Sequence, residues 1–274
     1  MKKSTLRKYM RKPCLIFKNL GYKEFLNWIP DTLYLKISYY LSSGKRLDLK
    51  NPKTFNEKLQ WLKLNYRTPI MTQCVDKYEV RTYVENTIGS EYLIPLVGGP
   101  WNSFDEIDFN ELPDQFVLKC THDSGGLVIC RDKSKLDKRK AGEKIKKCLK
   151  HNYFWGGREW PYKDIRPRII AEKYLDLDDT NGQEFKLFCN YGHVRWVLVS
   201  AGKAHSTGDG GRTNDGYDLN FEHLPVSFTY PNADIQVKKP KQWDELVSLA
   251  EKISRDIPIL RFDTYVVRRR TTAQ

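Results

Sequence analysis

Apolar and polar positions in this 274-residue chain follow two rhythms, and the change between them divides it. Up to about residue 90 the apolar positions recur at helical spacing. Residues 30–41, PDTLYLKISYYL, are mostly apolar behind Asp31, and the pattern predicts a helix with Asp31 as its N-cap. Residues 54–64, TFNEKLQWLKL, open with Thr54 and place Glu57 three positions on, which is the capping-box spacing. Residues 75–89 put Val80, Tyr83, Val84 and Thr87 on one helix face, with Gly89 as the stop.

Beyond residue 90 the rhythm shortens. YLIPLVGG reads as a strand entering a turn. Phe116–Leu118 and Leu127–Ile129 read as two short strands, joined by a polar connection from Lys119 to Gly126 that ends in two glycines. A long hairpin connection of this kind is usually either mobile or functional. A cation at the end of the first strand, with amides left free by a Ser-Gly-Gly turn, makes an anion cradle. A mobile surface hairpin with a salt-bridged lysine fits the same residues. Next comes a helix with Ala141, Ile145, Cys148 and Leu149 on one face and lysines on the other. Residues 168–175 read as a buried strand, and 184–202 as a strand pair turning at Tyr191-Gly192. A helix presents Trp243, Leu246, Val247, Ala250 and Ile253, and ILRFDTYVV reads as a last strand. Helices followed by two β-β-α-β runs predict an α+β fold with two packed lobes. The expected divisions are 1–90 (helical), 91–174 (first lobe) and 175–274 (second lobe).

Composition narrows the function classes. Net charge is +13, and Lys2, Lys3, Arg7, Lys8, Arg11, Lys12, Lys18 and Lys23 precede any acid. That bias suits an anionic partner such as a membrane face, an acidic glycan or nucleic acid. A solvated basic helix fits it equally. Nucleic acid is disfavoured, because no aromatic–basic stacking motif or recognition module is found. No segment reaches the roughly 18 apolar residues of a membrane span, and CLIF at 14–17 is too short for a signal-peptide core. The expectation is a cytoplasmic protein with a peripheral contact at the inner membrane face. Six scattered cysteines without a CxxC pair read as isolated thiols, neither a disulfide framework nor a zinc site, and the histidines lack metal-ligand spacing.

Three features in one order carry a resemblance. They are the strand-Lys119-loop-Gly125-Gly126-strand hairpin, Glu172-Lys173-Tyr174-Leu175 ending a buried strand, and Glu184-Phe185-Lys186 opening the next. With LPDQFVLKCTHDSGG and RPRIIAEKYLD as its most specific parts, the chain from Asp76-Lys77 to Asp263 resembles the TupA-like branch of the ATP-grasp superfamily. That branch is associated with cell-envelope polysaccharide biosynthesis. The resemblance implies two α+β lobes sandwiching ATP, after a helical N-terminal region. Lys119 would contact the α/β phosphates, and Ser124, Gly125 and Gly126 would form the lid over them. Glu172 would bond the adenine amino group, with the main chain of Lys173 to Leu175 on the adenine edge. Tyr174 and Leu175 would line the base slot, and Glu184 would hold the ribose hydroxyls. Asp263, in RFDTY, would bind Mg²⁺. Arg212, in STGDGGRTNDG, would be a catalytic cation over the phosphates, and a flexible-loop arginine is the alternative. His122 either assists substrate or is a solvent-exposed histidine. Glu172-Lys173 also reads as a cross-strand ion pair, and Glu184 as a loop-end carboxylate.

The implied chemistry is carboxylate–amine ligation through an acyl phosphate, joining an acidic glycan or its lipid-linked precursor to an amino acid or other amine. After Asp263 the family pattern continues into a strand with a second metal-binding acid. Here the chain reads VVRRRTTAQ, which leads us to expect missing last strands, impaired turnover and an exposed edge at ILRFDTYVV. Asp209 or Asp215 is the candidate substitute acid. A glycan kinase or other phosphotransferase, a non-catalytic nucleotide- or polyanion-binding protein, and a glycosyltransferase labelled by pathway association are the alternatives.

Overall fold

The computed structural model describes residues 13–177, 182–202, 211–228, 230–267 and 270–273. Helices open the chain: α1 (Pro13–Tyr22), α2 (Asp31–Ser43), α3 (Phe55–Asn65), α4 (Pro69–Val75) and α5 (Val80–Ile88). Strand β1 (Leu96–Trp101), hairpin β2 (Phe116–Cys120) and β3 (Leu127–Cys130), and helices α6 (Lys138–Leu149) and α7 (Phe154–Gly157) follow. The remainder is β4 (Ile169–Lys173), β5 (Glu184–Asn190), β6 (His193–Ala201), β7 (Thr213–Tyr217), β8 (His223–Leu224), α8 (Trp243–Ile253), β9 (Leu260–Val267) and β10 (Arg270–Ala273). The architecture is α+β, as the two rhythms predict. The chain divides into two compact units, Met1–Glu79 with Val97–Ala171 and Val80–Leu96 with Glu172–Gln274.

In the first unit the sheet order is β1-β4-β2-β3, with β2 and β3 antiparallel and Lys119 opposite Leu127. Phe116, Leu118 and Cys120 of β2 and Ile169 and Ala171 of β4 are buried together with Ala141 and Ile145 of α6. The lysine face of α6 points to water, so its periodicity alone specifies how it packs. Thr54 and Glu57 form the expected capping box at the start of α3. The expected cap of α2 is corrected. Pro30 occupies the N-cap, and Asp31 falls in the first turn without capping. Its carboxylate instead pairs with Arg158 Nε at 3.1 Å. Arg158 is 1% exposed, donates to the Leu26 carbonyl at 2.8 Å and lies over the Tyr34 ring at 4.2 Å. These contacts offset part of the guanidinium's desolvation, although Nε and Nη1 make no hydrogen bond.

The helix expected over 75–89 is two pieces. Asp76 accepts from the Tyr78 and Glu79 amides and from Arg168, and this local side-chain turn breaks the helix between Val75 and Val80. The predicted face survives in α5, where Val84 is buried and Val80 and Tyr83 pack beside it, and Gly89 stops the helix at φ 112°.

In the second unit one antiparallel sheet runs β10-β9-β5-β6-β7-β8. Tyr191 and Gly192 turn β5 into β6 at φ 44° and 75°, the paired positive values of a tight hairpin. Helix α8 buries Trp243, Leu246, Leu249, Ala250 and Ile253 against Phe185, Leu187, Val197 and Val199. Leu249 holds a fully buried place on that face, and Val247 packs at its margin.

Two further expectations are corrected. The stretch around Arg212, read as a glycine-rich loop, forms strand β7 from Thr213. Its buried residues Asn214 and Asp215 are polar, and only Tyr217 at its end joins the apolar core. Asn214 accepts from the Ser200 hydroxyl at 2.8 Å, and Asp215 accepts from the Ala233 amide and meets His223 at 3.1 Å. The tail is the second. Arg270–Ala273 pairs antiparallel with β9, so ILRFDTYVV is covered on that side rather than left as an edge.

Candidate functional site

The hairpin loop sits at the end of β2. Lys119, on the penultimate residue of that strand, is 7% exposed. The Cys120 amide donates to the Gly126 carbonyl at 2.8 Å, and the Leu127 amide to the Gly125 carbonyl at 2.9 Å, which closes the loop on itself. Gly125 is exposed at φ +108° with open space around it, so backbone conformation requires glycine there. Gly126 is buried, and a Cβ there would stand 2.1 Å from Cys148 Sγ, so space requires glycine. Ser124 is exposed.

Lys77 joins this cluster and was missed by sequence reasoning. Its ammonium donates to the Asp123 carbonyl, and burial depresses its pKa, with the charge of Lys119 adding to the effect. Two ammonium groups therefore share one corner of the loop. The sequence reading placed Lys77 inside a helix over 75–89 and gave it no role. The solvent-exposed reading of His122 is corrected. His122 is 2% exposed, its Nε2 lies 3.1 Å from the His151 carbonyl, and burial lowers its pKa. It holds α6 to the loop.

The second unit carries its own charged cluster, built on neighbouring strands. Glu184 opens β5, and its Oε2 accepts from Lys186 and, at 3.2 Å, from Arg212. The β5–β9 register sets Lys186 opposite Asp263. Arg261 holds Asp263 with two bonds of 2.7 Å. Burial raises the Asp263 pKa; Arg261 opposes the rise, and the charge of Glu184 adds to it. Burial, with Glu184 and Asp263 nearby, also raises the Tyr265 hydroxyl, and Glu172 contributes more weakly. Glu172 is 6% exposed, with Arg81 at 4.0 Å. Thus Glu184, Asp263 and Arg212 come together with Lys186, Arg261 and Tyr265, to which the sequence reading gave no role. Arg212, just before β7, is a partly buried ion-pair partner of Glu184.

Other expectations fare differently. The Lys173 amide donates to the Pro95 carbonyl at 2.9 Å, so that donor is already committed. Tyr174 and Leu175, just beyond β4, are partly buried. Asp215 is fully buried within its own hydrogen bonds and is no spare acid for a metal. Asp209 lies outside the described residues. The donor set fits Mg²⁺, which takes hard carboxylate oxygens together with substrate phosphates. Asp263 is a partly buried carboxylate whose ionisation is opposed by desolvation and by Glu184, and a divalent cation would relieve both.

A family model described as TupA-like ATPgrasp matches residues 57–272. Among solved structures, D-alanine–D-alanine ligase from Bacillus anthracis complexed with ATP aligns at TM-score 0.42 and 14% identity, covering 81% of this chain and 62% of that one. The ATP-grasp ligase PsnB, complexed with a phosphomimetic precursor variant, Mg and ADP, aligns at 0.41 and 9%, covering 80% and 56%. The D-cycloserine synthetase DcsG aligns at 0.40 and 14%, covering 75% and 62%. This chain therefore spans less than two thirds of the length of each. A comparison with curated proteins finds no match. The hairpin with Lys119 and the strands carrying Glu172, Glu184 and Asp263 all fall inside the matched residues, and the chain belongs to the TupA-like ATP-grasp family.

Proposed function

We propose that the chain is an ATP-dependent carboxylate–amine ligase that acts on a carboxylated polysaccharide or its precursor through an acyl phosphate. The observation that carries this reading is the carboxylate pair Glu184 and Asp263 set among Lys186, Arg212 and Arg261, in a chain of this family. In this reading Lys119, with Lys77 beside it, neutralises nucleotide phosphates, and the amides of Ser124 to Gly126 approach them closely because the two glycines carry no side chain. Glu172 takes the adenine amino group, while Tyr174 and Leu175 line the base. Glu184 takes the ribose hydroxyls, and Asp263 is the protein ligand for Mg²⁺. When bound, that ion would neutralise charge developing on the transferred phosphoryl group. Arg212 would move from Glu184 to the phosphates.

The acceptor carboxylate attacks the γ-phosphorus and ADP leaves. An amine then displaces phosphate from the acyl phosphate, forming the amide. An acidic glycan or lipid-linked precursor suits the basic surface, and an amino acid or other amine is the second substrate. The protein would work in the cytoplasm, at the inner membrane face. Phe25 and Trp28 are 65% and 79% exposed between α1 and α2, next to Lys18 and Lys23, and such an aromatic–basic surface suits an anionic bilayer. The test is to supply ATP, Mg²⁺, uronate glycans and a panel of amino acids, and to follow free phosphate. Phosphate release that needs both glycan and amine is expected. Phosphate retained on a sugar hydroxyl would establish a kinase and overturn the ligase.

A further inference from the structure

Beneath the hairpin loop the fold assembles a cluster that the proposed chemistry does not use. Cys120 ends β2, Asp123 lies in the loop and Cys148 lies in the last turn of α6. The two thiol sulfurs and an Asp123 oxygen all lie within 4.8 Å of one another. Among the described residues no other trio of cysteine, histidine, aspartate or glutamate gathers this way. In the sequence the two cysteines are far apart and lack any metal spacing, so the β2–α6 packing alone creates the group.

We propose that Cys120, Cys148 and Asp123 bind a thiophilic divalent cation, zinc foremost, and that the ion clamps the loop against α6. Zinc takes thiolate and carboxylate ligands at about 2.3 and 2.1 Å, which sets tetrahedral donor atoms about 3.6–3.8 Å apart. The three atoms lie within reach of that arrangement, with Cys148 Sγ and the Asp123 oxygen it now bonds moving apart to admit the ion. A second observation points the same way: Asp123 Oδ1 is buried with no hydrogen-bond partner, while Oδ2 accepts from the Cys148 thiol. A buried carboxylate oxygen without a partner is costly, and a cation would satisfy it. Binding releases a proton from each thiol, so the thiolates and the carboxylate together supply three negative charges. These exceed the ion's two charges and leave one to face the neighbouring Lys77 ammonium. The fourth position goes to water. Cys120 is fully buried and rigid in the sheet, while Cys148 and Asp123 are partly exposed and provide the entry route.

The site does not rest on the ligase reading, because its test uses no nucleotide. The probe is Co²⁺ alone, added to the full reduced chain, with the near-ultraviolet thiolate-to-cobalt band as the readout. One ion per chain with that band is expected, and Zn²⁺ should displace it. Loss of even an outer-shell partner weakens metal sites about 10- to 100-fold, so Cys148→Ser and Asp123→Asn should each weaken Co²⁺ by at least about tenfold. Zinc should also slow alkylation of Cys120 and Cys148 in the unmutated chain, a readout that does not depend on variants folding. No thiolate band, or a band unchanged in Cys148→Ser, would overturn the site. So would a reduced chain that ignores zinc while its air-oxidised form links Cys120 to Cys148, since the pair would then be a disulfide couple.

Discussion

A single buried side chain, Arg158, shows how far a residue's role depends on partners distant in sequence. Its guanidinium pairs with Asp31, bonds the Leu26 carbonyl and stacks on Tyr34 and Trp155, all within the first unit. Truncation would leave a void and deprive Asp31 of its ion-pair partner. Arg158→Ala should destabilise the chain by about 3–5 kcal/mol, the cost of breaking a buried pair. Urea unfolding measures it, and a loss under about 1 kcal/mol would mean that the pair is solvated. The same limit explains which site residues could be read beforehand. Lys119, Glu172 and Glu184 each sit at or beside a strand end that alternation locates, and Asp263 lies inside β9. Lys77, Lys186 and Arg261 were not legible as site residues, because only the turn at Asp76 and the β5–β9 register bring them to their partners. Arg212 was read in sequence as a candidate cation, but its ion pair with Glu184 emerged only from the fold.

At the scale of elements, β2–β3, β5–β6 and α8 were legible because apolar alternation or helical spacing marked them and glycine marked their turns. Strand β7 was not, because Asn214 and Asp215 are buried through hydrogen bonds and leave no hydrophobic signature. Strand β10 hid in an arginine-rich tail, since backbone pairing with β9 does not require apolar side chains. The hairpin loop offers a direct test of why it needs two glycines. Gly126→Ala drives a methyl group into Cys148 Sγ and should cost about 1–3 kcal/mol, as overpacking does. Pairing it with Cys148→Ala should recover much of that loss, which a double-mutant cycle in urea would show. Gly125→Ala meets open space and should cost only its backbone strain, about 1 kcal/mol, whether or not Cys148 is changed. If Cys148→Ala rescues both glycine variants equally, the distinction between space and conformation fails.

For the whole molecule, family membership and the basic, aromatic surface of α1 and α2 make a prediction about location. Binding to vesicles with anionic lipid should weaken when Phe25 and Trp28 are both changed to Ala, and further when Lys18 and Lys23 become Gln, at about 1 kcal/mol per charge. Co-sedimentation measures this, and equal binding by all variants would remove that surface from the membrane contact. The central claim is that the charged clusters of this ATP-grasp chain bind nucleotide. Calorimetric titration of ATP with Mg²⁺ into the intact chain, Lys119→Ala and Glu184→Ala tests it most directly. The account predicts saturable binding by the intact chain and a loss of about 1.5–3 kcal/mol, roughly 10- to 150-fold, in each variant, the range for hydrogen bonds to charged groups. No binding by the intact chain, or equal affinities in all three proteins, would contradict it.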